Sequence, residues 1–330
     1  MHILVVGGGM GGTILANNLA RRLSGELEQG STKITMLSAS DKHMYQPGLL
    51  YVAVGKMSTS ELYRDQKSLL EPTIDFHVDP VEKFDLDNNS VTTKSGKKIS
   101  YDILCIATGS RGDAAAIPGL AENACQFYTE ADAVAMYKKL SKFEGGKVVV
   151  ATGVPHKCPM SPLEITFFLM DYFKKRGIWD KVDLHYTYPI GRVHSLAPVA
   201  EWAAPEFDKE GITYETLFNM KEVVPGKVIS EEDSSAEFDL LITVPPHKGM
   251  KVIEDNELGK GGFIPTDKKR LNMEGRDNVY VLGDTTNLPI SKAGSTAHFE
   301  AEALGENIAA IVQMGEPVRD YDGKVFCFIE

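Results

Sequence analysis

A strand that runs straight into a glycine loop and a helix leaves few architectures open, and this chain begins with one. "HILVVGGGMGGTILANNLARRL" gives an apolar strand, then Gly7, Gly9 and Gly12 in G-x-G-x-x-G register, then a helix from about Gly12 to Leu23. The first glycine permits the tight turn, the second lets a phosphate approach the backbone, and the third allows close helix–strand packing. The helix N-terminus then offers its N–H groups and a positive dipole end to the anion. The strand "KITML" completes a βαβ unit and implies a parallel sheet. An acid usually closes this strand and holds the adenosine ribose. Here Ser38 stands in its place, and its hydroxyl can still bond a ribose hydroxyl.

The rest of the chain extends that pattern. Residues 74–101 break into short alternating segments ("IDFHV", "EKFDL", "SVTTK", "KKISY") that read as an inserted antiparallel meander, before "YDILCIATG" returns to a buried parallel strand. A second βαβ series follows, with strands near 147–152, 183–187 and 212–217 and helices near 162–176 and 198–210. "NVYVLGD" is a further buried strand, and a long helix starts near Ser295. The expected fold is α/β, with two Rossmann-like doubly wound domains. The first, discontinuous domain takes residues 1–115 and 245–315, the second takes 116–244, and 316–330 begins a C-terminal segment.

Composition excludes several functions. A net charge of −11 argues against a nucleic-acid partner. "MHILVVGGG" enters a core strand at once, so no signal peptide is read, and no apolar run is long enough to span a bilayer. A cytoplasmic or peripheral membrane location is expected. Four cysteines without tight spacing suggest neither a metal site nor a secreted disulfide scaffold, and leave room for a redox pair. The oligomeric state stays open, a homo-oligomer included.

One turn breaks the dinucleotide pattern. "KVVVATGVPHKCPMSP" runs from a strand into a helix with a single glycine, Gly153, and three prolines. Proline has no N–H to offer a phosphate, and its ring obstructs close approach. Ser161 to Glu164 reads as a capping box with Pro162 at the first helical position. Cys158 then sits just ahead of a helix N-terminus between His156, Lys157 and Pro159, surroundings that favour thiolate. Cys105 reads as core, and the role of Cys125 stays open.

The opening loop, "ILCIATGS" with Ala107, Thr108 and Gly109, and "VYVLGDTTNLP" with Gly283 and Asp284 together resemble the three-part FAD signature of the two-dinucleotide-binding-domain flavoproteins. That resemblance implies that Asp284 accepts from a sugar hydroxyl of FAD. The helix that starts near Ser295 and carries Thr296 offers its N-terminal dipole to the flavin edge, and Lys292 reads equally well as an added positive charge there or as a solvated loop lysine. In that family the second domain normally binds NAD(P)H through a second glycine motif, which the proline turn lacks.

"LSASD", the loop "YQPGLLYVAVG", the cysteine turn and "YDGKVFCFIE" resemble the sulfide:quinone oxidoreductases and the related flavoprotein subunit of flavocytochrome c sulfide dehydrogenase. The resemblance implies a redox pair matching Cys158 and Cys327, in which Cys158 carries the growing persulfide and Cys327 passes two electrons to the flavin. Glu164 matches a glutamate that handles protons, although a capping role explains it equally well. His194 matches a histidine near the flavin only weakly, and reads better as a structural residue.

Gln46 and Pro47 fall in the loop where the cytochrome-linked branch attaches FAD through a cysteine. Gln46 in that place implies non-covalent FAD. Sulfide is the implied substrate and quinone the implied acceptor. Full-length members continue past the second cysteine into a region that closes the quinone pocket and touches the membrane, whereas this sequence stops three residues after Cys327. The alternatives are a type II NADH dehydrogenase-like enzyme, a cytochrome-coupled subunit, and a flavin-binding redox sensor.

Overall fold

The computed structural model describes every residue except Phe328 and Glu330, so part of the C-terminal segment assigned to 316–330 lies outside the described residues. The chain forms two compact units.

The first unit comprises residues 1–44, 63–111 and 248–327. Its centre is a five-stranded sheet in the order Val279–Val281, Ile103–Ile106, His2–Val6, Lys33–Ser38, Asp75–Val78, parallel throughout. Alternation along His2–Val6 separates two cores. Ile3 and Val5 pack with Leu15 and Leu19 of the helix Met10–Arg22 and with Leu304 and Ile308 of the long helix Gly294–Met314. Leu4 and Val6 pack on the opposite face with Phe84, Val91 and Ile253. Both faces are covered, which is why these strands read as continuous apolar runs.

The antiparallel insertion is real but shorter than its sequence suggests. It consists of Val81–Asp85, Ser90–Thr93 and Lys98–Ser100. The segment around "IDFHV" instead adds a parallel edge strand, pairing Thr35 with Asp75 through Ser38 with Val78. A half-exposed edge strand alternates as a meander strand does, so period alone does not separate the two.

The second unit comprises residues 45–62 and 112–247. Its sheet runs Ala124–Cys125, Leu240–Val244, Gly146–Thr152, Val182–Tyr188, Thr213–Thr216, again parallel. The helices Ser161–Lys175 and Ala197–Glu210 follow its second and third strands in sequence. A three-stranded antiparallel sheet, Met220–Val224, Lys227–Ser230 and Ser235–Glu237, covers Val149, Ala151 and Leu241 through Met220, Val223 and Val228.

Candidate active site

In the first unit the glycine loop has the form its spacing predicts. Gly7 adopts φ +117°, and a Cβ there would meet the Ala107 carbonyl at 2.2 Å. A Cβ on Gly12 would lie 2.0 Å from the Gly7 carbonyl. Gly9, by contrast, has nothing within 4 Å of a built Cβ. Its missing side chain leaves room on the open side of the loop, as the approach of a phosphate demands. The helix that follows begins at Met10 with no side-chain cap, so its first N–H groups point towards that opening. Gly109, at φ +81°, likewise meets nothing within 4 Å. These residues fit a bound dinucleotide.

Ser38 is buried, and its hydroxyl accepts from the Ser40 N–H at 3.2 Å. Three residues that the sequence did not single out support the same loop. His43 Nδ1 lies 3.1 Å from the Gly8 carbonyl and 3.0 Å from Gln66 Oε1, and the fully buried Gln66 donates to Thr13 Oγ1 at 2.9 Å. The hairpin of Lys42–Met44 with Tyr63–Asp65 brings His43 and Gln66 together.

After the edge strand Val279–Val281, Gly283 turns at φ +69° and Asp284 accepts from Ser110 Oγ at 2.8 Å. The Gly109 N–H donates to Thr285 Oγ1 at 2.7 Å, and Thr108 lies 3.4 Å from the same hydroxyl. The three signature stretches are therefore tied into one surface of this unit. Lys292 donates to the Thr286 carbonyl at 2.7 Å and lies 4.6 Å from the centre of the Phe263 ring. Thr296 is buried and donates to the Ser291 carbonyl.

Glu300, also unmarked in the sequence, is fully buried. One of its oxygens accepts from the Gly283 N–H at 2.5 Å, while the other has no hydrogen-bond partner among the described residues. Burial pushes its pKa up to about 8, opposed by the Gly283 N–H and Lys292 and reinforced by Asp284. Cys327, half-buried, follows Phe326, whose carbonyl accepts from Ser295 Oγ in the first turn of the long helix.

In the second unit the proline turn is closed where a glycine loop would be open. A Cβ on Gly153 would lie 2.5 Å from the Pro246 ring, and the Gly153 N–H is spent on the Val244 carbonyl. Cys158, half-buried, holds φ +53°, a left-handed backbone that non-glycine residues rarely adopt. Lys157 donates to Gln46 Oε1 at 2.7 Å, which ties the turn to the loop bearing Pro47.

Two sequence expectations fail here. The capping box does not form: Met160 occupies the cap position, Ser161 is the first helical residue, and its hydroxyl lies 2.5 Å from Tyr128 OH instead. Glu164 keeps a place in the first turn of the helix. Nor does His156 supply positive charge. It lies 2.9 Å from Tyr188 OH, and burial, with the neighbouring His194, pushes its pKa down to about 4. Tyr188 is pushed up to about 12 by its own burial, and a charge on Cys158 raises it further. His194 is buried, accepts from the Leu196 N–H at 3.0 Å and senses the Pro159 carbonyl, a structural setting beside the turn. Cys105 and Cys125 are buried, and burial raises both thiols. Among the described residues no cluster could hold a metal ion, and no helix is long and apolar enough to cross a membrane.

The mitochondrial sulfide:quinone oxidoreductase of Mus musculus is 27% identical over 99% of this chain and 74% of its own length. That of Dictyostelium discoideum is 29% identical over 98% and 74%. The crystal structure of the sulfide:quinone oxidoreductase from Aquifex aeolicus superposes with a TM-score of 0.83 at 23% identity, covering 94% of this chain and 77% of that one. The family model described as pyridine nucleotide-disulphide oxidoreductase matches residues 1–303. The chain therefore belongs to the pyridine nucleotide-disulphide oxidoreductase family, as an FAD-binding oxidoreductase similar to the sulfide:quinone oxidoreductases.

Proposed function

We propose that this protein oxidises sulfide to zero-valent sulfur through Cys158 and Cys327, with non-covalently held FAD and a quinone as final acceptor. The observation that carries this reading is the turn at Gly153. Pro246 packs against Gly153 on the side a glycine loop would leave open, and the same turn presents a half-buried thiol on left-handed backbone. The names of the similar proteins supply the substrate and acceptor.

The cycle starts from a Cys158–Cys327 disulfide. Hydrosulfide attacks Cys158 Sγ, the S–S bond breaks, and its electron pair leaves on Cys327 Sγ. Cys158 then carries a persulfide whose outer sulfur is the oxidised product. Bond formation between that sulfur and Cys327 Sγ releases two electrons and one proton and restores an oxidised bridge one sulfur longer. The glycine loop and the Gly283–Asp284 turn would hold FAD, whose flavin would supply the two-electron acceptor between this bridge and the quinone. His156 stays neutral through the cycle, so it orients Tyr188 beside the thiol rather than stabilising a thiolate by charge.

Gly7, Gly9 and Gly12 hold the pyrophosphate in this reading, Ser38 the adenosine ribose, and Asp284 a sugar hydroxyl. Ala107, Thr108, Gly109, Gly283 and Thr296 shape the wall around the cofactor. Gln46 and Pro47 stand beside Lys157 in place of a covalent tether. Lys292 contributes positive charge near the flavin, and Glu164 is the candidate proton carrier at the cysteine turn.

Anaerobic mixing of the FAD-loaded protein with sodium sulfide tests the reading. Sulfide should bleach the flavin, NADH should not, and Cys158→Ser or Cys327→Ser should slow bleaching by at least about a hundredfold, as loss of a covalent nucleophile does. Rapid bleaching by NADH, or serine variants that behave as wild type, would overturn it.

A further inference from the structure

The segment from Glu316 to Cys327 has no helix or strand, yet it is held to the first unit along its whole course. Gly315, at φ +89°, ends the long helix and reverses the chain. Asn307, buried at 2% exposure on that helix, turns both its amide oxygen and its NH2 to the returning backbone. Its Oδ1 accepts from the Val318 and Arg319 N–H groups at 3.0 and 2.9 Å, and its Nδ2 donates to the Arg319 carbonyl at 2.9 Å.

Further on, Tyr321 is buried and its N–H donates to the Lys269 carbonyl at 2.8 Å, while Asp320 pairs with Lys269 and Arg270. Phe326 ends the course, its carbonyl bonded by Ser295 and its ring edge-on to Phe299 at 5.6 Å.

Chain length makes this clamp a register device. Asn307 and Ser295 are twelve residues apart on the helix, about 18 Å at a rise of about 1.5 Å per residue. Arg319 and Phe326 are seven residues apart, and a fully extended chain of that length reaches only about 25 Å. About 7 Å of slack remains, so a slip at Asn307 that shortens the span to Phe326 by two residues would pull Phe326 off Ser295 and displace the thiol beside it.

We propose that Asn307 is a positioning residue for Cys327: its amide fixes the register of the 316–327 strap and so sets the thiol at the start of the long helix. The proposal rests on the reading of Cys327 as a redox thiol. Anaerobic alkylation by iodoacetamide of the FAD-loaded protein, first reduced with dithiothreitol so that Cys158 and Cys327 are thiols and followed thiol by thiol by peptide mass spectrometry, reads the position of Cys327 independently of turnover. Asn307→Leu removes three buried hydrogen bonds and should raise the Cys327 rate by about tenfold or more. Cys158 should stay within about twofold and FAD should stay bound, because neither depends on the strap.

Asn307→Asp, which keeps both acceptor contacts and loses the donor, should fall between. Ser295→Ala, which releases the far anchor, should act in the same direction, and these two variants carry the test should Asn307→Leu fail to fold. Sulfide-driven flavin reduction should slow in proportion to the Cys327 rate. An unchanged Cys327 rate, a parallel rise at Cys158, or a loosened Cys327 with unchanged sulfide reduction would each overturn the proposal. Failure of the underlying reading shows separately, as a wild-type flavin that sulfide does not bleach.

Discussion

Replacing Glu300 by glutamine isolates the energetic consequence of a titratable group at the base of the Gly283–Asp284 turn. In the folded protein the pKa of Glu300 is pushed up to about 8 from an ordinary 4.5, first by burial, with Asp284 adding to it and Gly283 and Lys292 opposing. The sign follows from proton counting. Below 4.5 both states are protonated and the group contributes nothing to the pH dependence. Between 4.5 and about 8 the unfolded chain has released a proton that the folded chain keeps, so stability falls as pH rises. Each pH unit corresponds to about 1.4 kcal/mol, so the full interval amounts to roughly 5 kcal/mol, levelling off above the folded pKa.

The glutamine of E300Q can still accept from the Gly283 N–H but cannot titrate. Its NH2 group enters a site where one Glu300 oxygen has no partner among the described residues, which costs about 1–3 kcal/mol at every pH. The wild-type minus E300Q difference in unfolding free energy, from reversible urea denaturation of FAD-saturated protein at intervals from about pH 5 to 8, should therefore fall steadily. The variant gains up to about 1.4 kcal/mol per pH unit on the wild type, whatever its starting offset. A difference that stays flat across that range would mean that Glu300 ionises in the folded state like an exposed acid, and the reasoning would fail.

Gly12→Ala places a Cβ 2.0 Å from the Gly7 carbonyl. It should lower FAD retention after gel filtration by about tenfold or more, and wild-type retention would show that the helix can move away from the loop. His156→Asn should leave the pH profile of Cys158 alkylation unchanged above about pH 5, because the imidazole it replaces is already neutral there. An inflection near about pH 6–7 that disappears in the variant would show that His156 charges in the folded protein after all.

The parts of this molecule written in local sequence were readable, and those that depend on distant partners were not. Gly7, Gly9 and Gly12 announce themselves by spacing, and the buried runs around Leu4, Leu104 and Val149 announce a parallel sheet covered on both faces. The closure of the turn at Gly153 followed from its prolines, although the residue that fills the space, Pro246, lies far along the chain. The capping box failed because Tyr128, thirty-three residues away, takes the Ser161 hydroxyl. His156 beside Cys158 looked like a source of charge because burial does not show in a run of letters. Glu300 and Asn307 sat unremarked on an apolar helix, where only the fold reveals that one faces the Gly283 turn and the other faces returning backbone. Asp75–Val78 was misassigned because an exposed edge obscures the distinction between a parallel and an antiparallel neighbour.

The backbone of Cys158 carries a last implication. At φ +53° a glycine would sit more comfortably than any L-residue, by about 1 kcal/mol. The backbone dihedral therefore favours glycine here, and drift towards an unstrained turn would tend to erase the side chain. Serine inherits the same awkward dihedral and almost the same shape, so a Cys158→Ser protein that folds as well as its parent but no longer reacts would have lost chemistry alone.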